Sequence, residues 1–268
     1  MRARSADAPL AVAEACALLG AGCRERPDGA EVELDFWVPA ARAPAPERVA
    51  EVLARRGVAA VVRGAPERDD WRGALRAFHR PVEVGGRLVV RPPWAPARPG
   101  RLDVVIDPGM AFGTGQHATT RACLELLLDL PAGPLVDVGT GSGVLAVAAR
   151  RLGHDPVWAV DADPAAVEAT VANARANGVS LRVARRVVGR DRLPDAPTVL
   201  ANLTASLLVD LAGALRAAPP TRAVVSGLRP GEGPEVEDAF APLGLRPARR
   251  IDAEGWAALL LRSAEPTR

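Results

Sequence analysis

The sequence has no lysine and no tyrosine, only three cysteines and three histidines, and no unbroken apolar run near the ~18 residues of a membrane span. Each gap removes a class of function. Without lysine there is no G-x-x-x-x-G-K-[ST] loop, whose lysine reaches nucleotide phosphates. Cys16, Cys23 and Cys123 are odd in number and form no C-x-x-C pair, which suits free thiols in a reducing compartment. His79, His117 and His154 are scattered, so no metal-ligand cluster is expected. A formal charge of +2, spread along the chain, lacks the basic stripe that grips a phosphate backbone. The expectation is a cytoplasmic protein needing no membrane, metal or nucleic acid.

What is present is ordinary globular composition: 49% of the 268 residues are hydrophobic and 25% charged. That length fits one full α/β domain with a smaller module. The opening run to Gly22 resembles a signal peptide in its Ala/Leu content. Asp7 and Glu14 interrupt it, and Val12, Cys16 and Leu19 fall at helical spacing, which favours an amphipathic helix over 9–20. A strand follows at 31–38, where Val32, Leu34 and Phe36 alternate with Glu31, Glu33 and Asp35. A helix over 46–57 and a strand over 58–62 complete a small α+β module, residues 1–66. Its acids read as a solvated face, with a surface for a basic protein as the alternative.

Residues 67–100 read as a connection: a helix around 69–78, two strands turning at Gly85-Gly86, and the proline-rich RPPWAPARPG. From 101 to 268 apolar strands alternate with helices, the pattern of a mostly parallel sheet covered on both faces. WAALLLRS (256–263) follows no long helix and is expected to pair antiparallel at an edge.

Within that domain PLVDVGTGSGVLAVAARRLG (134–153) sets Asp137 at a strand end, then Gly139, Gly141 and Gly143 in a turn, then a helix. Bare backbone and free N–H groups at a helix start make a cradle for a nucleotide-type ligand. About twenty residues on, Asp161 ends the next strand, where a carboxylate can accept from both ribose hydroxyls. The spacing is G-x-G-x-G, with Val144 where a dinucleotide fingerprint needs its third glycine, which disfavours NAD.

D-x-G-x-G-x-G followed by an acidic strand end resembles motifs I and II of class I methyltransferases, whose usual ligand is S-adenosylmethionine. IDPGMAFGTGQHATT (106–120) narrows this: it resembles the D-P-G-x-A-F-G-T-G-x-H-x-T-T signature of the PrmA family, the ribosomal protein L-eleven methyltransferases. The likeness runs on through RPPW, VLANLTASLL, SGL and EGW, over roughly residues 69–263. Gln116 and Ala118 stand where threonine and proline are usual, and Leu203-Thr204 where isoleucine-leucine is common.

The resemblance implies a class I methyltransferase fold with a small ferredoxin-like amino-terminal domain. It also implies S-adenosylmethionine as cofactor and methylation of amines on one large-subunit ribosomal protein; a monomer is expected. Because no strand is evident before the first helix, the sequence leaves open that the small domain is truncated. Carried over by position, Thr120, Gly139, Gly141, Asp161 and Asn202 would contact cofactor, and Phe112, Gly113 and Thr114 would lie near the methyl-transfer channel. Asn202 at its strand end would orient the cofactor or the amine. His117 is read as a structural hydrogen-bonding residue ahead of a base, with Thr119 or Thr120 capping the following helix. Asp107 and Asp137 are read as turn holders. Two alternatives stay open: another protein or RNA as substrate, and a catalytically silent adaptor.

Overall fold

The computed structural model describes residues 1–4, 7, 11, 15, 19, 23–36, 38, 44–55, 57, 58, 60–62, 79–108 and 115–263. The helix expected around 69–78 lies outside them. The chain forms two compact units, Met1–Leu75 and Arg76–Arg268.

The first unit holds strands β1 (Arg2–Arg4), β2 (Cys23–Asp28), β3 (Glu31–Phe36) and β4 (Ala60–Val61), with helix α1 (Pro46–Arg55) between β3 and β4. They form one antiparallel sheet in the order β2-β3-β1-β4. A first strand therefore exists where none was expected. Its three residues are too few to show alternation, yet Ala3 is buried while both arginines are exposed. Val32 and Leu34 point into the core as their spacing predicts, against Val49 and Leu53 one turn apart on α1. Ala11, Ala15 and Leu19 are helical and four apart, and the first two are buried; Val12 and Cys16 of the expected apolar face lie outside the described residues.

The second unit begins with β5 (Val82–Val84), β6 (Leu88–Arg91) and β7 (Leu102–Val105) in a three-stranded sheet. Arg91 donates to Asp103 Oδ2 at 2.7 Å and to the Ala95 carbonyl at 2.6 Å, which pins the proline-rich stretch to this sheet. Helix α2 (Ala118–Leu127) follows. Then β8 (Leu135–Val138), α3 (Val144–Arg151), β9 (Val157–Asp161), α4 (Pro164–Ala176), β10 (Arg182–Arg185), β11 (Thr198–Asn202), α5 (Ala205–Ala214) and β12 (Arg222–Leu228) run as alternating strands and helices. Helix α6 (Gly233–Phe240), β13 (Leu245–Ala253) and β14 (Trp256–Ser263) end the unit.

The seven strands lie in the order β10-β9-β8-β11-β12-β14-β13, parallel from β10 through β12. Alternate residues face opposite layers: Leu135, Ala159 and Leu200 pack with α2 and α3, while Val136, Val160 and Ala201 pack with α5 and α6. The fold class is the expected one, with one correction. β14 is antiparallel but lies one strand in from the edge, paired on both sides. Its run Ala257–Leu261 is wholly buried, as a central strand requires, whereas β13 carries three arginines and a proline at an irregularity in its pairing, which suits an edge. Among the described residues no helix is long and apolar enough to cross a membrane.

Candidate functional site

β8 lies between β9 and β11, so the chain reverses its direction of travel across the sheet here. Open α/β sheets bind ligands at the carboxyl ends of strands beside such a switch. Gly139, Gly141 and Gly143, all with positive φ, form the turn leaving β8. The Gly139 and Thr140 N–H groups donate to Val160 O at 2.8 and 3.1 Å, anchoring the turn to β9.

Asp137 sits beneath the turn, fully buried on the face toward α2 and α3. Its Oδ2 accepts from Thr140 Oγ1 at 2.7 Å and from the Ala146 N–H at 3.1 Å, so it braces both the loop and the start of α3, as a turn holder should. Burial pushes its carboxyl up to about 7, against the pull of those two hydrogen bonds, and its Oδ1 has no partner among the described residues. The folded chain therefore keeps this proton up to about pH 7, whereas the unfolded chain releases it near 3.8. Between those limits the folded state binds more protons, so this group's contribution to stability falls as pH rises and is flat above. Asp137→Asn, which mimics the protonated acid, is expected to raise the melting temperature above pH 7 by several degrees. The gain should shrink toward pH 4; thermal melts across that range check it, and a gain independent of pH would contradict it. His79, His117 and His154 are all shifted down chiefly by burial, and they cancel in this comparison with wild type.

Asp161 closes β9. Its Oδ2 accepts from the Gly141 N–H at 2.9 Å and its Oδ1 from the Asp163 N–H at 3.0 Å. A carboxylate offers about four acceptor positions, so two remain for a diol resting on the loop. The residue is half-buried, accessible and already oriented.

Asn202 closes β11. Its Nδ2 donates to Thr119 Oγ1 at 3.1 Å and to Thr120 Oγ1 at 3.4 Å, both threonines being buried in the first turn of α2. Its Oδ1 acceptor has no partner among the described residues. The expected cap differs: His117, not a threonine, is the N-cap of α2, accepting from the Thr119 N–H and lying 2.7 Å from Thr119 Oγ1 through Nδ1. An imidazole nitrogen can cap as a hydroxyl does. The His117 ring meets Trp256 edge-on at 5.1 Å, and Arg229 lies over the same indole at 5.8 Å. Burial and the Arg121 guanidinium hold this imidazole below its ordinary range, while Glu254 pulls the other way.

Two of the expected groupings thus come together: Gly139, Gly141 and Asp161 on one side, Thr120 and Asn202 on the other. Leu203 joins them, since a Cβ at Gly139 would stand 2.3 Å from Leu203 Cδ2. Phe112, Gly113 and Thr114 lie outside the described residues. Among the described residues no group of three or more His, Cys, Asp or Glu could hold a metal ion.

A family model, ribosomal protein L11 methyltransferase (PrmA), matches residues 47–264. The chain belongs to that family. The ribosomal protein L11 methyltransferase of Symbiobacterium thermophilum is 42% identical over 200 residues, 72% of this chain and 66% of the relative. That of Pelotomaculum thermopropionicum is 41% identical over 230 residues, 81% and 74% of the two chains. The match thus spans about two thirds to three quarters of these relatives. A crystal structure of a ribosomal protein L11 methylase from Lactobacillus delbrueckii subsp. bulgaricus superposes with a TM-score of 0.62 at 28% identity, covering 70% of this chain and all of that one.

Within this PrmA-family chain, Trp256 and Thr119 are further site neighbours. Thr119 is expected from the sequence only as a candidate cap and Trp256 only as part of the EGW run. What brings them to the site is contact with Asn202 and His117 across the sheet end.

Proposed function

We propose that this chain transfers methyl groups from S-adenosylmethionine to amines of the large-subunit ribosomal protein L11. The carrying observation is the Gly141–Asp161 hydrogen bond, which locks a glycine turn and a half-used carboxylate into one cradle inside a PrmA-family chain. The loop backbone would take the methionine portion and Asp161 the ribose. Thr120 and Asn202 would bound the cleft on the β11 side, with Phe112, Gly113 and Thr114 toward the acceptor.

When bound, the sulfonium supplies an already activated methyl group. The chain's own part is to hold an amine in line with it, which can be worth ~7–11 kcal/mol. A lysine amine in water titrates at about pH 10.4 and must shed its proton before attack. Removal from water disfavours the charged form. Asn202 Oδ1 would accept from the neutral amine; in support, its Nδ2 is spent on Thr119 and Thr120, which fixes the carboxamide rotation.

The amino-terminal unit, whose strand order matches a ferredoxin-like module, would recognise the substrate, with residues 67–100 as the connection to the catalytic domain. A cytoplasmic monomer fits a substrate made there. Purified chain incubated with methyl-labelled S-adenosylmethionine should label ribosomal protein L11 and leave ribosomal RNA unlabelled. Label in RNA alone would replace the substrate, and binding without transfer to either would favour the adaptor reading.

A further inference from the structure

Helix α4 carries a polar stripe where an apolar face is expected. Thr170, Asn173 and the C-cap residue Asn177 recur at i, i+3 and i+7, along one side of the helix. Thr170 is fully buried and Asn173 is 3% exposed. Asparagine is a poor interior helix residue and costly to bury unpaired, so its atoms must be used. They are. Thr170 Oγ1 donates to Gly141 O at 3.0 Å, and Asn173 Nδ2 donates to Ser142 O at 2.8 Å, both in the glycine turn. Asn173 Oδ1 accepts from the Asp107 N–H at 3.0 Å, where the chain leaves β7 for the glycine-rich signature. Asn177 bonds to β7, accepting from Val105 N–H at 2.7 Å and donating to Val105 O at 2.6 Å, and also donates to the main-chain O of Asn173 at 2.7 Å, but it reaches neither the glycine turn nor Asp107.

We infer that Asn173 is a positioning residue of the donor site, the double-ended link that fixes the glycine turn against the start of the signature segment. The inference rests on the cofactor reading above. The link needs one donor and one acceptor on a short stem. A carboxamide has both, an ionised carboxylate only the acceptor, and an aliphatic side chain neither. Asn173 bonds to both residue 107 and residue 142, so its loss removes both of these bonds at once while leaving β8 and β9 paired.

The test is calorimetric titration with S-adenosylhomocysteine, alongside thermal melts. Wild type is measured first: absence of binding would sink the cofactor reading itself. Given binding, Asn173→Ala is expected to weaken affinity by about tenfold or more, while Asn177→Ala, which touches neither the turn nor Asp107, stays within about threefold despite a lowered melting temperature. Unchanged affinity in Asn173→Ala, or equal losses in the two variants, would overturn the inference. Asn173→Asp separates positioning from packing, also should the alanine variant not fold. Protonated, it can again donate to Ser142 O. Its affinity deficit relative to wild type should therefore be large near pH 8 and narrow toward about pH 6, with Asp107 and Asp137 common to both chains. A deficit constant across that range would also overturn the assignment.

Discussion

Gly227→Ala is expected to cost on the order of 4 kcal/mol and to lower the melting temperature by roughly 8–16 °C, if the variant is recovered folded at all. Gly227 has φ +90, at the irregularity between Ser226 and Leu228 where β12 pairs with β14. A Cβ there would stand 2.2 Å from Leu203 O, 2.8 Å from its carbonyl carbon and 3.0 Å from its nitrogen. These are backbone atoms of the residue that follows Asn202, and its N–H donates to Ser226 O at 2.9 Å. Nothing can rotate aside, as the Leu203 side chain could for a methyl at Gly139. Relief requires moving the end of β11, and Asn202 with it.

Gly213→Ala is the matched control. That glycine sits exposed in α5 with nothing within 4 Å of a new methyl, so the same substitution should stabilise by about 0.5–1 kcal/mol. Melting both variants against wild type checks the pair. A small, equal effect of the two would show that the close approach of β12 to Leu203 is not what the glycine serves.

What could be read from the sequence was local. The glycine turn, Asp137 beneath it and Asp161 on the next strand fall within one βαβ unit, where period, turn chemistry and spacing agree. The central strands announced themselves as apolar runs because both faces are covered. Edge elements did not. β1 is three residues long, β2 reads CRERPD with no apolar alternation, and β13 is mostly exposed, so each depends on pairing that only the assembled sheet supplies. Helix α6 was missed behind its Gly-Pro start, a dipeptide that reads as a turn.

The site divides the same way. Asn202 was found by motif, but its grip on Thr119 and Thr120 spans more than eighty residues. Histidine as the cap of α2 was hidden by two adjacent threonines with better capping statistics. Asn173 had no local signal, since its partners lie 31 and 66 residues away.

The remaining large effect concerns the ribose. Two hydrogen bonds from sugar hydroxyls to an ionised carboxylate are together worth about 3 kcal/mol when the partner is removed, roughly 100-fold in affinity. Asp161→Ala also frees the Gly141 and Asp163 N–H groups, but the site is half-exposed and water can take them up. The fold should therefore persist while the donor is lost. Calorimetric titration of wild type and Asp161→Ala with S-adenosylhomocysteine, each shown by circular dichroism to be folded, should give tight one-to-one binding in the first and an affinity about a hundredfold weaker in the second. Equal affinities in two folded proteins would place the nucleoside somewhere other than the glycine turn and its carboxylate.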